Sequence, residues 1–315
     1  MSGAQIVVVG SVNADLVVAV DRRPSAGETI LGGPLRISPG GKGANQAVAA
    51  ALLGARVAFV GRTGDDAHGL LLRASLTRAG VDLAGLRVAA GPTGVALITV
   101  TPDGDNSIIV SPGANALVTT GDIERATPLF TGGAVLVLQL ESPMSVVAAA
   151  ARAALAAGAR VILNLAPAAS VDPDILAGCD PLVVNEHEAA FLLDGLPGGG
   201  LPGGGLPASG TDVRWESVAR RLLDLGPRSA VVTLGEAGAV VAAGDRVVRV
   251  EAERVKVVDT TGAGDAFVGA LAWRLAAGDE LITAADTAVR VATVSVTRPG
   301  AQPSYPSIEE WNAQL

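Results

Sequence analysis

The sequence predicts an α/β fold: a mainly parallel central sheet with helices on both faces, three layers in all, and a small separate β-sheet. Three observations predict it. Beyond residue 120, short apolar runs alternate with helical patterns, and buried strands joined through helices imply right-handed βαβ crossovers and a parallel sheet. Strands near residues 12–37 and 86–110 break that alternation, which assigns them to a second sheet, a lid inserted in one domain spanning 1–315. Finally, 49% of the 315 residues are apolar, 17% are charged and only 3% are aromatic, so the chain must pack around an aliphatic core.

Taken in order, Ile6–Val9 reads as a short buried strand ending at Gly10. Leu16–Val20 and Glu28–Ile37 read as short strands, Gly43–Leu53 as an Ala-rich helix and Val57–Val60 as a strand. Ala67–Ala79 is a helical pattern closed by Gly80, a residue type suited to the left-handed position after a helix. Leu86–Val88, Gly94–Thr101 and Ser107–Val110 read as strands, with Pro102–Asp105 as a hairpin turn. Then come a strand at Val135–Leu138, a helix at Ser145–Ala157, strands at Val161–Leu163 and Leu182–Val184, helices at Glu186–Leu193 and Val213–Leu225, and a strand at Ala230–Thr233. Residues 195–210 repeat Gly, Leu and Pro in tandem and read as a flexible surface loop. Gly198, Gly200 and Gly203 match a dinucleotide-loop spacing, but no strand precedes them directly and Pro202 breaks the turn.

Composition excludes several classes. The formal charge of −8, with no basic tract, argues against nucleic acid or an anionic membrane as partner. A single cysteine, Cys179, allows no intrachain disulfide and suits a reducing, cytoplasmic setting. No basic region opens the chain as in a signal peptide, and apolar stretches such as Val146–Leu155 are too short to span a bilayer.

The most informative segment is Asp259-Thr-Thr-Gly-Ala-Gly-Asp265, between an extended β-branched run (Val255, Val257, Val258) and an apolar helical pattern. A glycine turn opening a helix offers unpaired N–H groups and the positive end of the helix dipole, an anion site suited to phosphate. A carboxylate there repels phosphate, so Asp265 reads as a base placed where a phosphoryl group arrives. Pro39-Gly-Gly-Lys-Gly-Ala-Asn-Gln46 is a second glycine turn before a helix; it lacks the upstream Gly and following Ser/Thr of a P-loop. Lys42 and Asn45 suit hydroxyls and a transferring phosphate, and a tight turn with a capping Asn explains the segment equally well. Asn13 and Asp15, two apart on a strand, suit sugar hydroxyls or form a simple turn. Asn185-Glu-His-Glu188 lies where a parallel strand meets a helix; Glu188 could organise Mg²⁺, although a reciprocal helix cap is the commoner explanation. Thr233–Gly238 is either a nucleotide turn or a hairpin, and Glu141 either a sugar acceptor or a surface carboxylate. His68 and His187 are too isolated for a metal cluster.

Together these segments resemble the ribokinases, within the ribokinase-like (phosphofructokinase-B type) sugar kinases. The matching stretches are Gly10–Asp15, Gly40–Ala50, Thr93–Leu97, Gln139–Pro143, Asn185-x-x-Glu188, Asp259–Asp265 and Thr297–Ser304. The resemblance implies an ATP-dependent kinase making D-ribose 5-phosphate from D-ribose. It implies a sugar pocket at Asn13, Ala14, Asp15, Gly41, Lys42, Gly43, Ala44, Asn45 and Glu141, and Asp265 as catalytic base. It further implies an anion hole from the backbone of Gly262, Ala263 and Gly264. ATP would touch Asn185, Thr233, Leu234, Gly235, Glu236, Ala237, Gly238 and Gly264, with Glu188 supporting Mg²⁺. A K⁺ loop would use Asp259, Thr261, Ser295, Arg298, Gly300 and Ser304. The family's lid sheets pair into a homodimer. The repeat at 195–210 and Val289, where relatives carry a polar residue near adenine, depart from the pattern. Kinases for 2-deoxyribose, fructose or nucleosides share the fold, as would a silent sugar-binding protein, against which Asp265 argues.

Overall fold

On a strand, successive side chains point to opposite faces, and the first strand shows what this does here. Ile6 and Val8 enter one apolar core, Val7 and Val9 a second, and all four are essentially without solvent contact. A strand buried on both faces must sit inside a sheet covered by helices on each side. The computed structural model describes residues 5–102, 106–194 and 213–313. The predicted turn at 102–105 and the Gly/Leu/Pro repeat at 195–210 lie largely or wholly outside them.

The elements run β1 (Gln5–Val9), β2 (Asn13–Ala19), β3 (Arg36–Gly40), α1 (Lys42–Leu52), β4 (Arg56–Gly64), α2 (Ala67–Arg78), β5 (Asp82–Ala89), β6 (Gly94–Val100), β7 (Asn106–Ser111), α3 (Thr120–Ala126), β8 (Val135–Leu138), α4 (Met144–Ala156), β9 (Arg160–Asn164), α5 (Pro173–Gly178), β10 (Cys179–Asn185), α6 (Glu186–Asp194), α7 (Trp215–Leu223), β11 (Ser229–Thr233), β12 (Ala239–Ala243), β13 (Arg246–Val250), α8 (Ala263–Ala276), α9 (Leu281–Ser295) and α10 (Ile308–Asn312). The main sheet has the order β13-β12-β11-β10-β9-β8-β1-β4-β5. It is parallel from β5 to β11, and β12 and β13 close the far edge antiparallel. Ala47 and Val48 of α1, Phe267 and Leu271 of α8 and Ala288 of α9 cover one face; Val147 and Ala150 of α4, Leu193 of α6 and Leu222 of α7 cover the other. The three predicted layers are therefore present.

The second sheet has the order β3-β2-β6-β7. Its strands alternate in the expected way. Asp15 and Ala96 pair on one face, while Ile37, Leu16, Leu97 and Ile109 form a cross-strand row on the other. Ile37, Leu97 and Ile109 in that row are exposed.

Two expectations need correction. Leu86–Val88 belongs to β5, which pairs in parallel with β4 at the edge of the main sheet. Helix α2 supplies the crossover, so this strand obeys the βαβ rule. Glu28–Ile37 is not a strand: pairing begins only at Arg36, after Gly32, Gly33 and Pro34 interrupt any ladder. The β-branched run ending at Val258 also lies outside any ladder, and its Val255 and Val257 line a cavity instead.

Candidate active site

The carboxyl ends of the parallel strands supply the polar residues, as expected for an open α/β sheet. β1 leads to Ser11 and Asn13, β8 to Gln139 and Glu141, and β9, β10 and β11 end on Asn164, Asn185 and Thr233. The small sheet begins at this edge, because Asn13 pairs with Gly40 on one side and Gly94 on the other.

Helix α1 starts against the β1–β2 connection. Gly41 has φ +89°, and a Cβ there would lie 2.7 Å from the Asn13 backbone nitrogen, so only glycine allows the approach. The helix N-terminus then meets a carboxylate: Glu141 Oε2 accepts from Lys42 N at 3.2 Å and from Ser11 Oγ at 2.5 Å. Asn13 is buried, and its Oδ1 accepts from Asn115 Nδ2 at 2.7 Å. Asn115 is in turn tied to Val12 N and O at 2.9 and 3.1 Å.

Helix α8 starts against the same region. Gly262 has φ +76°, and its carbonyl accepts from the Tyr305 hydroxyl at 3.1 Å. Two residues into the helix, Asp265 is buried, with Asn45 Nδ2 donating to Oδ2 at 3.0 Å and Gln46 Nε2 to Oδ1 at 2.9 Å. Burial raises the Asp265 pKa and Glu141 adds to the rise; the Lys42 charge and the two amides oppose it. Asp15, facing Glu141 and Asp265, is pushed up to about 7 by burial and by those two charges. Burial alone would depress Lys42, yet Asp265, Glu141 and Glu188 raise its pKa on balance. Several carboxylates thus share one lysine, an arrangement whose donors and acceptors suit the hydroxyls of a polyol.

Behind Asp265 opens a cavity of about 1090 Å³, lined by Asn185, Thr233, the Gly235–Gly238 turn, Val255, Val257, Ala263, Gly264, Phe267 and Val289 among others. Its size and its glycine-edged, largely apolar wall suit a purine nucleotide. A pfkB family carbohydrate kinase model matches residues 4–308.

The chain belongs to the pfkB family of carbohydrate kinases.

Individual relatives agree with it. The chain is 39% identical over 314 residues to a ribokinase of Schizosaccharomyces pombe, covering 97% of this chain and 96% of that protein. It is 37% identical over 312 residues to a deoxyribokinase of Salmonella typhi, covering 98% of each. A solved Arabidopsis thaliana ribokinase complexed with ribose and ATP superposes with a TM-score of 0.85 at 33% identity, covering 99% of this chain and 98% of that one.

Within this pfkB-family kinase, several residues named from sequence do not present side chains to the site. Ala14, Ala44 and Leu234 are buried in the core, and Gly43 packs against Gly10 and Ser11 backbone. Ala263 N–H is spent on the Thr260 carbonyl at 3.2 Å, so an anion bonded to all three turn amides requires that contact to open. Asn185 and Glu188 form the reciprocal cap: Asn185 N donates to Glu188 Oε2 at 2.7 Å and Glu188 N to Asn185 Oδ1 at 2.8 Å. Burial raises the Glu188 pKa, opposed by the Asn185 backbone bond and by the Lys42 charge. Thr233–Gly238 is the turn joining antiparallel β11 and β12, and it lines the cavity.

Of the proposed cation loop, Thr261 and Gly300 meet Asp259. Its Oδ1 accepts from Thr261 N at 2.9 Å and its Oδ2 from Gly300 N at 2.8 Å, and these bonds hold its pKa low against the opposing effect of burial. Ser295 Oγ and Ser304 Oγ donate to Ala292 and Ala301 carbonyls, and Arg298 turns its guanidinium to Glu310 at 3.0 Å. Asp259 sets carboxylate oxygens against this loop, a hard donor of the kind a monovalent cation takes. Among the described residues no cluster of three or more His, Cys, Asp or Glu could hold a metal. Sequence reading missed Ser11, Gln46, Asn115, Asn164, Gln139, Gln302 and Tyr305 as site residues. All but Asn115, Asn164 and Tyr305 fell inside segments already singled out, and only the tertiary fold shows which way they point.

Proposed function

We propose that this kinase transfers the γ-phosphoryl group of ATP to the 5-hydroxyl of D-ribose, giving D-ribose 5-phosphate and ADP. The observation that carries the reading is the position of Asp265: a buried carboxylate at the start of α8, between the Asp15–Lys42 polar cleft and the large cavity. Asn13, Asp15, Gly41, Lys42, Asn45 and Glu141 hold the sugar. Asp265 takes the 5-hydroxyl proton as that oxygen attacks the γ-phosphorus and the bond to the β,γ-bridging oxygen breaks. The Gly262–Gly264 backbone and the α8 dipole stabilise charge on the transferring group.

Asn185, Thr233 and the Gly235–Gly238 turn contact the nucleotide, with Val289 giving adenine an apolar wall. Glu188 supports Mg²⁺, which neutralises phosphate charge when bound. Asp259 and the 295–304 loop would hold K⁺, which would supply positive charge beside the glycine turn. The small sheet acts as a lid over a single kinase unit. Its exposed row of Ile37, Leu97 and Ile109 supports a homodimer formed through the lids. No helix among the described residues is long and apolar enough to cross a membrane, and we assign the protein to the cytoplasm on its single cysteine.

The test is ATP consumption with ribose, 2-deoxyribose, fructose and adenosine, with Asp265→Asn as control. Ribose is expected to give the highest kcat/KM, and Asp265→Asn to lose about 10²–10⁴-fold. A near-wild-type rate in that variant removes Asp265 as base. The Salmonella typhi relative makes 2-deoxyribose the second reading, and a higher kcat/KM for it than for ribose decides in its favour.

A further inference from the structure

Asp265 is held by two chains of amides, one ending on each carboxylate oxygen. In the first, Ser75 Oγ donates to Gln302 Oε1 at 2.7 Å, Gln302 Nε2 to Asn45 Oδ1 at 3.0 Å, and Asn45 Nδ2 to Asp265 Oδ2 at 3.0 Å. In the second, Gln139 Nε2 donates to Gln46 Oε1 at 2.6 Å, and Gln46 Nε2 donates to Asp265 Oδ1 at 2.9 Å. Gln46 Nε2 also donates to Asn164 Oδ1 at 3.0 Å, so both of its hydrogens are used. Gln46, Gln139, Gln302 and Asn45 are all buried.

The direction of every bond follows from one fact: an ionised carboxylate only accepts. Asn45 and Gln46 must therefore turn their NH₂ groups toward Asp265. Their oxygens then face away and need donors, which Gln302 and Gln139 supply. Reversing any one amide sets oxygen against oxygen along the chain. A protonated Asp265 finds no acceptor in either amide facing it, so the network matches the ionised form alone. The same Asn45 is a proposed sugar ligand, and Gln302 lies between Gly300 and Ser304 of the proposed cation loop.

We infer that Gln46 and Gln302, with Gln139 behind them, are positioning residues that orient the Asp265 carboxylate and keep it ionised inside a buried site. The inference rests on Asp265 being the base. The charged and titratable groups facing it are Lys42 of α1, Asp15 of β2, Glu141 after β8, Glu188 of α6 and Tyr305 after α9. Of these only Lys42 favours the ionised form, which leaves the neutral amides as the remaining counterweight to burial.

The experiment is the pH profile of kcat at saturating ribose, ATP, Mg²⁺ and K⁺ for the full chain and for Gln46→Leu, Gln139→Leu and Gln302→Leu. Removing donors favours the protonated acid, so the acidic limb moves to higher pH. For Gln46→Leu we expect the acidic limb to move up by about one pH unit, a change of about tenfold in activity low on that limb, with the loss shrinking as pH rises. For the two outer glutamines a smaller shift in the same direction is expected. A limb that stays in place, or a loss equal at all pH values, overturns the inference. If circular dichroism shows Gln46→Leu unfolded, the outer variants decide by the same criterion, and loss of the fold in all three assigns the network to stability and also overturns it. Asp265→Asn separates this from the parent reading: its full activity removes the base, whereas an inactive Asp265→Asn with an unmoved Gln46→Leu limb removes only the network's role.

Discussion

Asp259 Oδ2 accepts a hydrogen bond from Gly300 N at 2.8 Å, joining the start of the glycine turn to the loop that follows α9. The other oxygen holds Thr261 N, so one carboxylate fixes both sides of the proposed cation loop. An amide at this position sets its NH₂ against a backbone donor. Asp259→Asn is therefore expected to raise the K⁺ concentration for half-activation by about tenfold, equivalent to about 1.4 kcal/mol and within the range for a charge-assisted bond. Wild type is expected to run faster in K⁺ than in Na⁺; equal rates in the two salts refute the cation assignment.

The Asp15 carboxyl, pushed up to about 7, titrates in the working range. Sugar hydroxyls donate to the ionised form, so the KM for ribose should fall as pH rises from 6 to 8. Its stability effect has the opposite sense. The folded value lies above the ordinary 3.8, so ionisation costs folding free energy that begins to appear near pH 4 and is complete above about 7. Asp15→Asn should thus gain in Tm relative to wild type at pH 8 and gain little at pH 4.5. A Tm difference independent of pH contradicts the raised value.

Two glycines of one turn should respond in opposite ways to alanine. At Gly262 a Cβ would stand 2.5 Å from the Tyr305 hydroxyl oxygen and 2.6 Å from Ala301 Cβ, at φ +76°. Gly262→Ala should cost at least about 2 kcal/mol in urea unfolding. At Gly264 a Cβ meets nothing within 4 Å, and the residue is helical and lines the cavity. Gly264→Ala should keep or raise Tm, by up to about 1 kcal/mol of helix preference, while raising the KM for ATP. An unchanged KM shows that nucleotide does not approach this backbone.

Asn115 fixes the amide of Asn13 by donating to its oxygen, which leaves the Asn13 NH₂ to face outward. Asn115→Asp retains an acceptor for Val12 N but can no longer donate, so Asn13 must turn over. The KM for ribose is expected to rise about tenfold or more, with kcat at saturation changed far less. A fall confined to kcat argues against the role.

How much of this was legible in the chain depends on the range of the interaction involved. Strand and helix patterns are local, so β1, β8, β9 and α4 could be read from apolar periodicity, and the layers followed from their alternation. Glycine turns are local too: Gly41 and Gly262 marked helix starts because only glycine takes the required backbone. β5 was misassigned because a short apolar run carries no sign of which neighbour it pairs with. Asn115 and Tyr305 were missed because a single polar residue in a short connecting segment has no period and no motif.

The sequence by itself determined the α/β class, the two glycine turns, the bracketing aspartates and the polar segments that match the family. All of these are set by backbone preference and burial within a few residues. Only the tertiary structure decided that Gln46 and Asn45, 219 and 220 residues from Asp265, converge on its two oxygens, that Gln302 orients Asn45, and that Asp259 reaches Gly300. The physical reason is that a hydrogen bond is specified by position and direction in space, and the chain sets those only after both faces of the sheet are packed.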